Sequence, residues 1–162
     1  MAQPSVVVVF SSLCGATETL AHAAAVGVVN ARALPRLRRL ADNGSSAPPE
    51  CADTLRRMRK EYVPPSEADI AGAPALVIVP SAGMTSASGV WQPLFATLDR
   101  LVSAGKLTGK LAAVIDAGDR DTVASFSSAL AARGFTLIAA NGGDARAHGR
   151  AVGAALRSGA QG

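Results

Sequence analysis

The chain has 162 residues, of which 49% are apolar and 17% are charged, and its formal net charge is +4. This length fits one domain with a sizeable core, and the apolar runs are too short to predict a membrane span. Aromatic residues, at 4%, are too scarce for a base-stacking surface, so the basic balance does not favour a nucleic-acid partner.

Two cysteines, Cys14 and Cys51, are too few for a disulfide framework. The first residues show neither a basic flank nor a cleavage pattern, so we expect no secretory signal. Together these features predict a cytoplasmic protein with reduced thiols. Cys14 falls near a predicted helix start, where a thiol can become reactive, although we favour the alternative of a small buried residue.

A strand, a short polar turn and a helix follow one another over residues 5–26. Residues 6–10 are an apolar, β-branched run that is typical of a strand buried on both faces. Residues 11–17 are small and rich in hydroxyls, and a helical pattern starts at Glu18. The open N–H groups of such a helix start can bind phosphate. The alternative is an ordinary turn with a capping Ser or Thr.

The next segment is short of strand signals and rich in arginine. Residues 30–37 predict an edge strand because Pro35 cannot donate to a ladder. We expect a basic insertion at about 40–65, with a loop at 42–50 and a helix at 53–62, inside a single domain of residues 1–162. The basic residues of segment 32–60 are Arg32, Arg36, Arg38, Arg39, Arg56, Arg57, Arg59 and Lys60.

The remaining chain alternates between strand and helix patterns. The predicted strands are residues 75–79, 111–115 and 135–140, and the predicted helices are residues 66–70, 90–104, 122–133 and 145–157, with a turn at 141–143. Such alternation predicts right-handed crossovers and a parallel sheet. We therefore predict a three-layer α/β fold with five parallel strands in the flavodoxin-like order 2-1-3-4-5.

In that order, a ligand lies beyond the carboxyl ends of the strands, where the strand order reverses. The loops predicted there are residues 11–17, 81–89 and 116–121. All three are small and polar, and their occurrence together supports a binding site more than any one loop does.

Several segments resemble the flavodoxin-like NAD(P)H:quinone oxidoreductases of the WrbA type. Residues 12–21 (SLCGATETLA) resemble that family's Ser-x-Tyr-Gly-His-x-Glu-x-x-Ala phosphate loop. Residues 107–114 (LTGKLAAV) resemble its Leu-x-Gly-Lys-x-Ala-Ala-Val segment. Further similar segments are residues 66–80, 92–100 and 144–152, so the resemblance covers nearly the whole chain.

The resemblance implies an FMN cofactor and hydride transfer from NAD(P)H to a quinone, in a homodimer or tetramer. The residues that it places around the FMN phosphate are Ser12, Leu13, Cys14, Gly15, Ala16 and Thr17. The residues that it places beside the flavin ring are Pro80, Ser81, Ala82, Gly83, Asp116, Ala117 and Gly118. No side chain is required as a general acid or base, because the flavin carries the chemistry, and no metal site is expected.

The third loop leaves alternatives open. Asp116, Asp119 and Asp121 would oppose a reduced, anionic flavin. One alternative is therefore a flavodoxin-fold protein that has lost flavin and binds a partner through segment 32–60. The three carboxylates could also hold Mg²⁺, although serines rather than acidic residues follow the first strand. A flavodoxin-type electron carrier is less favoured, because such carriers are usually acidic.

We predict whether three aromatic or imidazole side chains lie in the core or at the surface. Trp91 is expected in the core or an interface rather than against a flavin. His22 and His148 are expected at the surface, because neither has a second ligand at metal-binding spacing.

Overall fold

A computed structural model describes residues 3–42, 47–140 and 143–161, except for the side chains of residues 160 and 161. The strands are β1 (Ser5–Phe10), β2 (Leu34–Arg39), β3 (Ala75–Val79), β4 (Leu111–Val114) and β5 (Thr136–Leu137). The helices are α1 (Ala16–Asn30), α2 (Ala52–Glu61), α3 (Glu67–Gly72), α4 (Gln92–Ser103), α5 (Arg120–Ala131) and α6 (Ala145–Gln161). A short 3₁₀ helix, Pro49–Cys51, precedes α2.

The five strands form one parallel sheet in the order β2-β1-β3-β4-β5. This result confirms the predicted three-layer flavodoxin-like fold and its strand order. Pro35 lies in β2, which is an edge strand as its missing N–H requires. Among the described residues, no helix is long and apolar enough to span a membrane.

Two apolar clusters lie on opposite faces of the sheet because successive strand side chains point to opposite sides. Val6, Val8 and Phe10 pack with α1, α2 and α6. Val7 and Val9 pack with α3, α4 and α5. Every β1 side chain from Val6 to Phe10 is fully buried, as the apolar run predicts for a central parallel strand.

Helices α1 and α6 cross at very short range, and glycine permits this approach. A Cβ atom on Gly149 would lie 2.0 Å from the carbonyl oxygen of Ala24. A Cβ atom on Gly27 would lie 1.9 Å from the carbonyl oxygen of Arg146. Any larger residue at either position would force the two helices apart.

Element boundaries differ most from the predictions near turns. Strand β2 starts at Leu34 rather than at residue 30, because Arg32 adopts a left-handed conformation (φ 62°) that separates it from α1. The predicted strand 135–140 pairs only over Thr136–Leu137. In the predicted loop 42–50, residues 43–46 lie outside the described residues. Residues 141 and 142 of the predicted turn 141–143 also lie outside them.

Candidate functional site

The turn that follows β1, residues 11–17, is held closed by its own hydroxyl groups. The Gly15 N–H donates to Ser12 Oγ at 2.7 Å, and the Thr17 hydroxyl donates to the Ser11 carbonyl. Gly15 is the N-cap of α1 and has a left-handed backbone (φ 97°), which glycine adopts without strain. No side chain caps this helix. The capping Ser or Thr that the alternative of an ordinary turn expects is therefore not found at this helix.

The same turn leaves several backbone donors open. Within the described residues, no acceptor is present for the N–H groups of Leu13, Cys14, Ala16 and Thr17. Helix α5, which starts at the same edge of the sheet, differs because the Asp119 carboxylate accepts hydrogen bonds from its first-turn N–H groups. An anion that approaches this edge therefore finds free helix-terminal donors at α1, whereas those at α5 are already occupied.

Hydrogen bonds join the three predicted loops into one rim. Ser81 Oγ donates to the Ser11 carbonyl at 3.3 Å, which links the β3 loop to the β1 turn. The Gly83 N–H lies 3.0 Å from both Asp119 Oδ2 and Thr122 Oγ1, which links the β3 loop to the β4 loop. The predicted site residues of all three loops therefore lie along one continuous edge.

The carboxylates of the third loop are largely engaged with the backbone. Asp116 Oδ1 accepts hydrogen bonds from the N–H groups of Gly118 at 2.7 Å and of Asp119 at 3.0 Å. A hydrogen bond from the Thr122 hydroxyl, helped by backbone N–H donors, lowers the pKa of Asp119. Asp121 is exposed. In the part of the chain that the structure describes, no three potential metal ligands cluster, so nothing favours the Mg²⁺ alternative.

A cavity of about 160 Å³ lies between the β1 turn, the end of β2 and the β3 loop. Its lining residues are Ser11, Ser12, Leu13, Arg39, Leu40, Asp42, Met84, Ser88, Gly89 and Val90. Ser12 and Leu13 were predicted site residues. The residues from the end of β2 were missed, because the predicted strand ends at residue 37 and so leaves Arg39 outside the sheet.

Arg39 is the buried charge of this cavity, with 5% of its surface exposed. Its Nε and Nη2 atoms lie 3.1 and 2.7 Å from the Ser12 carbonyl oxygen, and Nη2 also lies 2.7 Å from Asp42 Oδ1. Burial raises the pKa of Asp42, but the hydrogen bonds from Arg39 and Arg59 outweigh it and lower this pKa overall. Arg39, at the end of β2, therefore holds the backbone of the β1 turn in place through the Ser12 carbonyl.

The cysteines are not reduced, contrary to the prediction. Cys14 and Cys51 form a disulfide, with their Cα atoms 5.0 Å apart. Cys14 is also exposed rather than buried. The two cysteines are 37 residues apart in the sequence, so no local pattern predicts this pairing. The chain returns after β2 to place Cys51, at the end of the 3₁₀ helix, beside the β1 turn.

Helix α2 docks against the start of α1 through a polar cluster. Arg57 Nη2 lies 2.6 Å from Glu18 Oε1, and the Tyr62 hydroxyl donates to Glu18 Oε2 at 2.7 Å. His22 Nε2 lies 2.7 Å from the same Tyr62 hydroxyl. The hydrogen bond from Arg57 lowers the pKa of Glu18 against the opposing effect of burial. Burial and the Glu18 carboxylate raise the pKa of Tyr62.

Most arginines of segment 32–60 are paired with carboxylates. The ion pairs are Arg38–Asp69, Arg39–Asp42, Arg56–Asp53, Arg57–Glu18, Arg57–Glu61 and Arg59–Asp42. The segment that the composition marks as strongly basic is therefore largely neutralised within the fold.

Trp91 is fully buried and packs edge-on against Phe126, which confirms its predicted core position. His22 is exposed as predicted. The prediction for His148 is wrong: only 4% of its surface is exposed, and its Nε2 lies 2.6 Å from the Ile138 carbonyl oxygen. The register of α6 turns this residue toward the chain that follows β5.

These features define an α/β protein with a flavodoxin-like fold and a polar rim at the strand ends. A similar structure is a short-chain flavodoxin associated with a bacterial microcompartment (TM-score 0.64, 17% identity, 96% of this chain and 99% of that chain covered). The WrbA-like flavodoxin from Agrobacterium tumefaciens is also similar (TM-score 0.62, 16% identity, 98% of each chain covered).

A third similar structure is the two-electron reduced Megasphaera elsdenii flavodoxin (TM-score 0.61, 18% identity, 91% of this chain and 98% of that chain covered). At these identities the likeness shows the fold alone. No protein-family model matches the sequence, and no curated protein matches it.

Proposed function

We propose that this protein is an FMN-binding flavodoxin-like oxidoreductase of the NAD(P)H:quinone reductase type. The observation that carries the proposal is the uncapped start of α1, which opens onto a rim built from the three strand-end loops. The fold of the similar flavodoxin structures supports the same assignment.

The donor set at the β1 turn fits a phosphate group. Open N–H groups at Ala16 and Thr17 would donate to phosphate oxygens, and the α1 dipole would favour the negative charge. The Ser12 hydroxyl accepts from Gly15 and still has its own hydrogen to donate. Arg39 would stabilise this arrangement by holding the Ser12 carbonyl away from the anion.

The rim would hold the ring system through backbone groups. The N–H groups of Ala82 and Ala117 meet no acceptor among the described residues, so they are free to donate to ring carbonyl oxygens. The cavity of about 160 Å³ is smaller than ligand pockets, which usually measure about 300–1,000 Å³. FMN would therefore place only part of its volume there, with its ring along residues 81–83 and 116–118.

Bound FMN would supply hydride and electron transfer between NAD(P)H and a quinone. The chain itself would bind the phosphate, orient the ring and keep carboxylates away from it. Asp116 Oδ1 and Asp119 Oδ2 accept hydrogen bonds from the backbone N–H groups of Gly118 and Gly83, so these atoms would face the rim and not the ring. The sequence suggests that these carboxylates would repel a reduced, anionic flavin. Their hydrogen bonds to backbone donors would weaken that repulsion.

The alternative, a flavin-free interaction module that uses segment 32–60, is less well supported. Its arginines mostly neutralise carboxylates of the same chain, so little of that charge remains for a partner. A homodimer or tetramer belongs to the proposal as an implication of the family resemblance. A cytoplasmic location belongs to it as the expectation from the first residues and the cysteine count.

An absorbance spectrum and a flavin titration test this assignment. We expect flavin bands in the purified protein, or saturable quenching of FMN fluorescence at micromolar protein. Turnover of NADH or NADPH with a benzoquinone should follow. FMN binding without such turnover would instead indicate an electron carrier, and no binding at all would contradict the proposal.

A further inference from the structure

The Cys14–Cys51 disulfide lies inside the proposed phosphate site. Cys14 is exposed and stands in the turn whose backbone N–H groups are open. Cys51 is half-buried and ends the 3₁₀ helix that leads into α2. The bond therefore joins the candidate anion site to a separate element of the fold.

Contacts other than this bond also hold helix α2 in place. Leu55 and Met58 are buried against the β1 face of the core. Arg57 forms a bidentate pair with Glu18, at 2.6 and 2.9 Å. None of these contacts involves the disulfide, so they would keep the two thiols close enough to reform it after it opens.

We propose that Cys14 and Cys51 form a redox-active disulfide that a dithiol reductant opens, and that its opening weakens phosphate binding at residues 11–17. The second half of this inference rests on the proposed function. It adds regulation of the site by thiol–disulfide exchange, which flavin chemistry alone does not require.

The exchange consumes one dithiol for each disulfide. A thiolate of the reductant attacks the Cys51 sulfur, the Cys14–Cys51 bond breaks, and Cys14 leaves as a thiolate. Cys14 is the better leaving group because a helix N-terminus stabilises a thiolate. The second thiol of the reductant then displaces Cys51 and becomes part of the oxidised, cyclic reductant. Two electrons pass to the protein overall: Cys51 takes up one proton, and Cys14 remains a thiolate, so the second proton of the dithiol goes to solvent.

Reduction changes the charge at the site. The disulfide is neutral, whereas the released Cys14 thiolate is negative and competes with phosphate for the open N–H groups of the turn. Opening the bond also frees the turn from its tether to Cys51. Both effects act against a bound anion. By linkage, bound phosphate must protect the disulfide from reduction to the same degree.

The first test counts thiols in the folded protein. Wild type is treated with dithiothreitol without denaturant, and free thiols are titrated while the far-ultraviolet circular dichroism is recorded. We expect two thiols with an unchanged spectrum, and reformation of the disulfide after the reductant is removed in air. A bond that opens only when the chain unfolds would overturn the proposal.

The second test measures FMN affinity in both redox states, after excess dithiothreitol is removed without oxygen. We expect the reduced protein to bind FMN at least about 5-fold more weakly, within the usual range of coupling. Cys51→Ser, which retains the Cys14 thiol, should bind more weakly than Cys14→Ser, although both lack the tether.

The outcomes separate the two claims. Equal FMN affinity of the oxidised and reduced proteins would overturn the redox coupling and leave the proposed function intact. Absence of FMN binding in every form would overturn the proposed function, and the coupling with it.

Discussion

The guanidinium of Arg57 lies 2.6 and 2.9 Å from the two carboxylate oxygens of Glu18. This bidentate pair joins α2 to the first turn of α1, directly beside the candidate anion site. A carboxylate in the first turn would normally use its charge to offset the helix dipole. Here Arg57 and Tyr62 bind that carboxylate, so the α1 terminus stays attractive to an external anion.

Replacing Glu18 with glutamine should loosen α2. We expect Glu18→Gln to lower the free energy of unfolding at neutral pH, because the variant loses the ion pair with Arg57. The loss should be only about 1 kcal/mol, since Arg57 is half-exposed and water screens the pair. The folded-state pKa of Glu18 is lowered, so its contribution is present above the ordinary glutamate pKa and disappears as pH falls below it. Urea unfolding at several pH values measures this difference.

A matched control is Glu67→Gln, because Glu67 and Arg100 are both exposed and lie 3.5 Å apart. We expect this control to change stability by less than about 0.5 kcal/mol. Equal destabilisation by the two variants, or a loss for Glu18→Gln that does not depend on pH, would contradict the assigned role of Glu18.

The close crossing of α1 and α6 predicts that Gly149→Ala is strongly destabilising. The added Cβ would lie 2.0 Å from the Ala24 carbonyl oxygen, so the helices must separate. We expect a loss of about 1–3 kcal/mol in the free energy of unfolding. Gly159→Ala in the same helix has open space around its added Cβ, so it should be neutral or slightly stabilising. Thermal unfolding of both variants distinguishes these effects.

The sheet could be predicted from the sequence because its signals are local. Residues 75–79 are a short apolar run between turn residues, and they form β3 with those bounds. The 135–140 run is also largely apolar, yet only Thr136 and Leu137 pair with β4, although β4 continues to Val114. The length of a strand depends on how far it pairs with the neighbouring strand, and a local sequence pattern does not contain that information.

Arg39 should be required for the shape of the β1 turn. We expect Arg39→Met to weaken FMN binding at least about 10-fold and to lower the free energy of unfolding by about 1–3 kcal/mol, because the Ser12 carbonyl loses its buried donors. Arg36→Met is the control, since Arg36 is exposed on the same strand. Loss of FMN affinity in the control as well would indicate a general charge effect instead.

Asp119 should hold the rim together. We expect Asp119→Ala to lower the free energy of unfolding, because α5 loses its side-chain cap. It should also weaken FMN binding, because the Gly83 N–H loses its carboxylate acceptor. Asp121→Asn, at an exposed position in the first turn of α5, should leave affinity within about twofold. Fluorescence titration of both variants checks the contrast.

The candidate site was only partly predictable. The strand-turn-helix pattern locates residues 11–17, because phosphate-binding turns combine small residues with a helix start. The Cys14–Cys51 bond and the position of Arg39 depend on the path of the chain after β2. That path is long-range information, so neither feature has a signature in the nearby sequence.

The comparison of FMN with riboflavin tests the central claim most directly, because the two ligands differ only in the phosphate. The open donors of residues 11–17 predict that the protein binds FMN at least about 100-fold more tightly than riboflavin, as expected for several charge-assisted hydrogen bonds. Equal affinity for the two ligands, or binding of neither, would contradict a phosphate site at the start of α1.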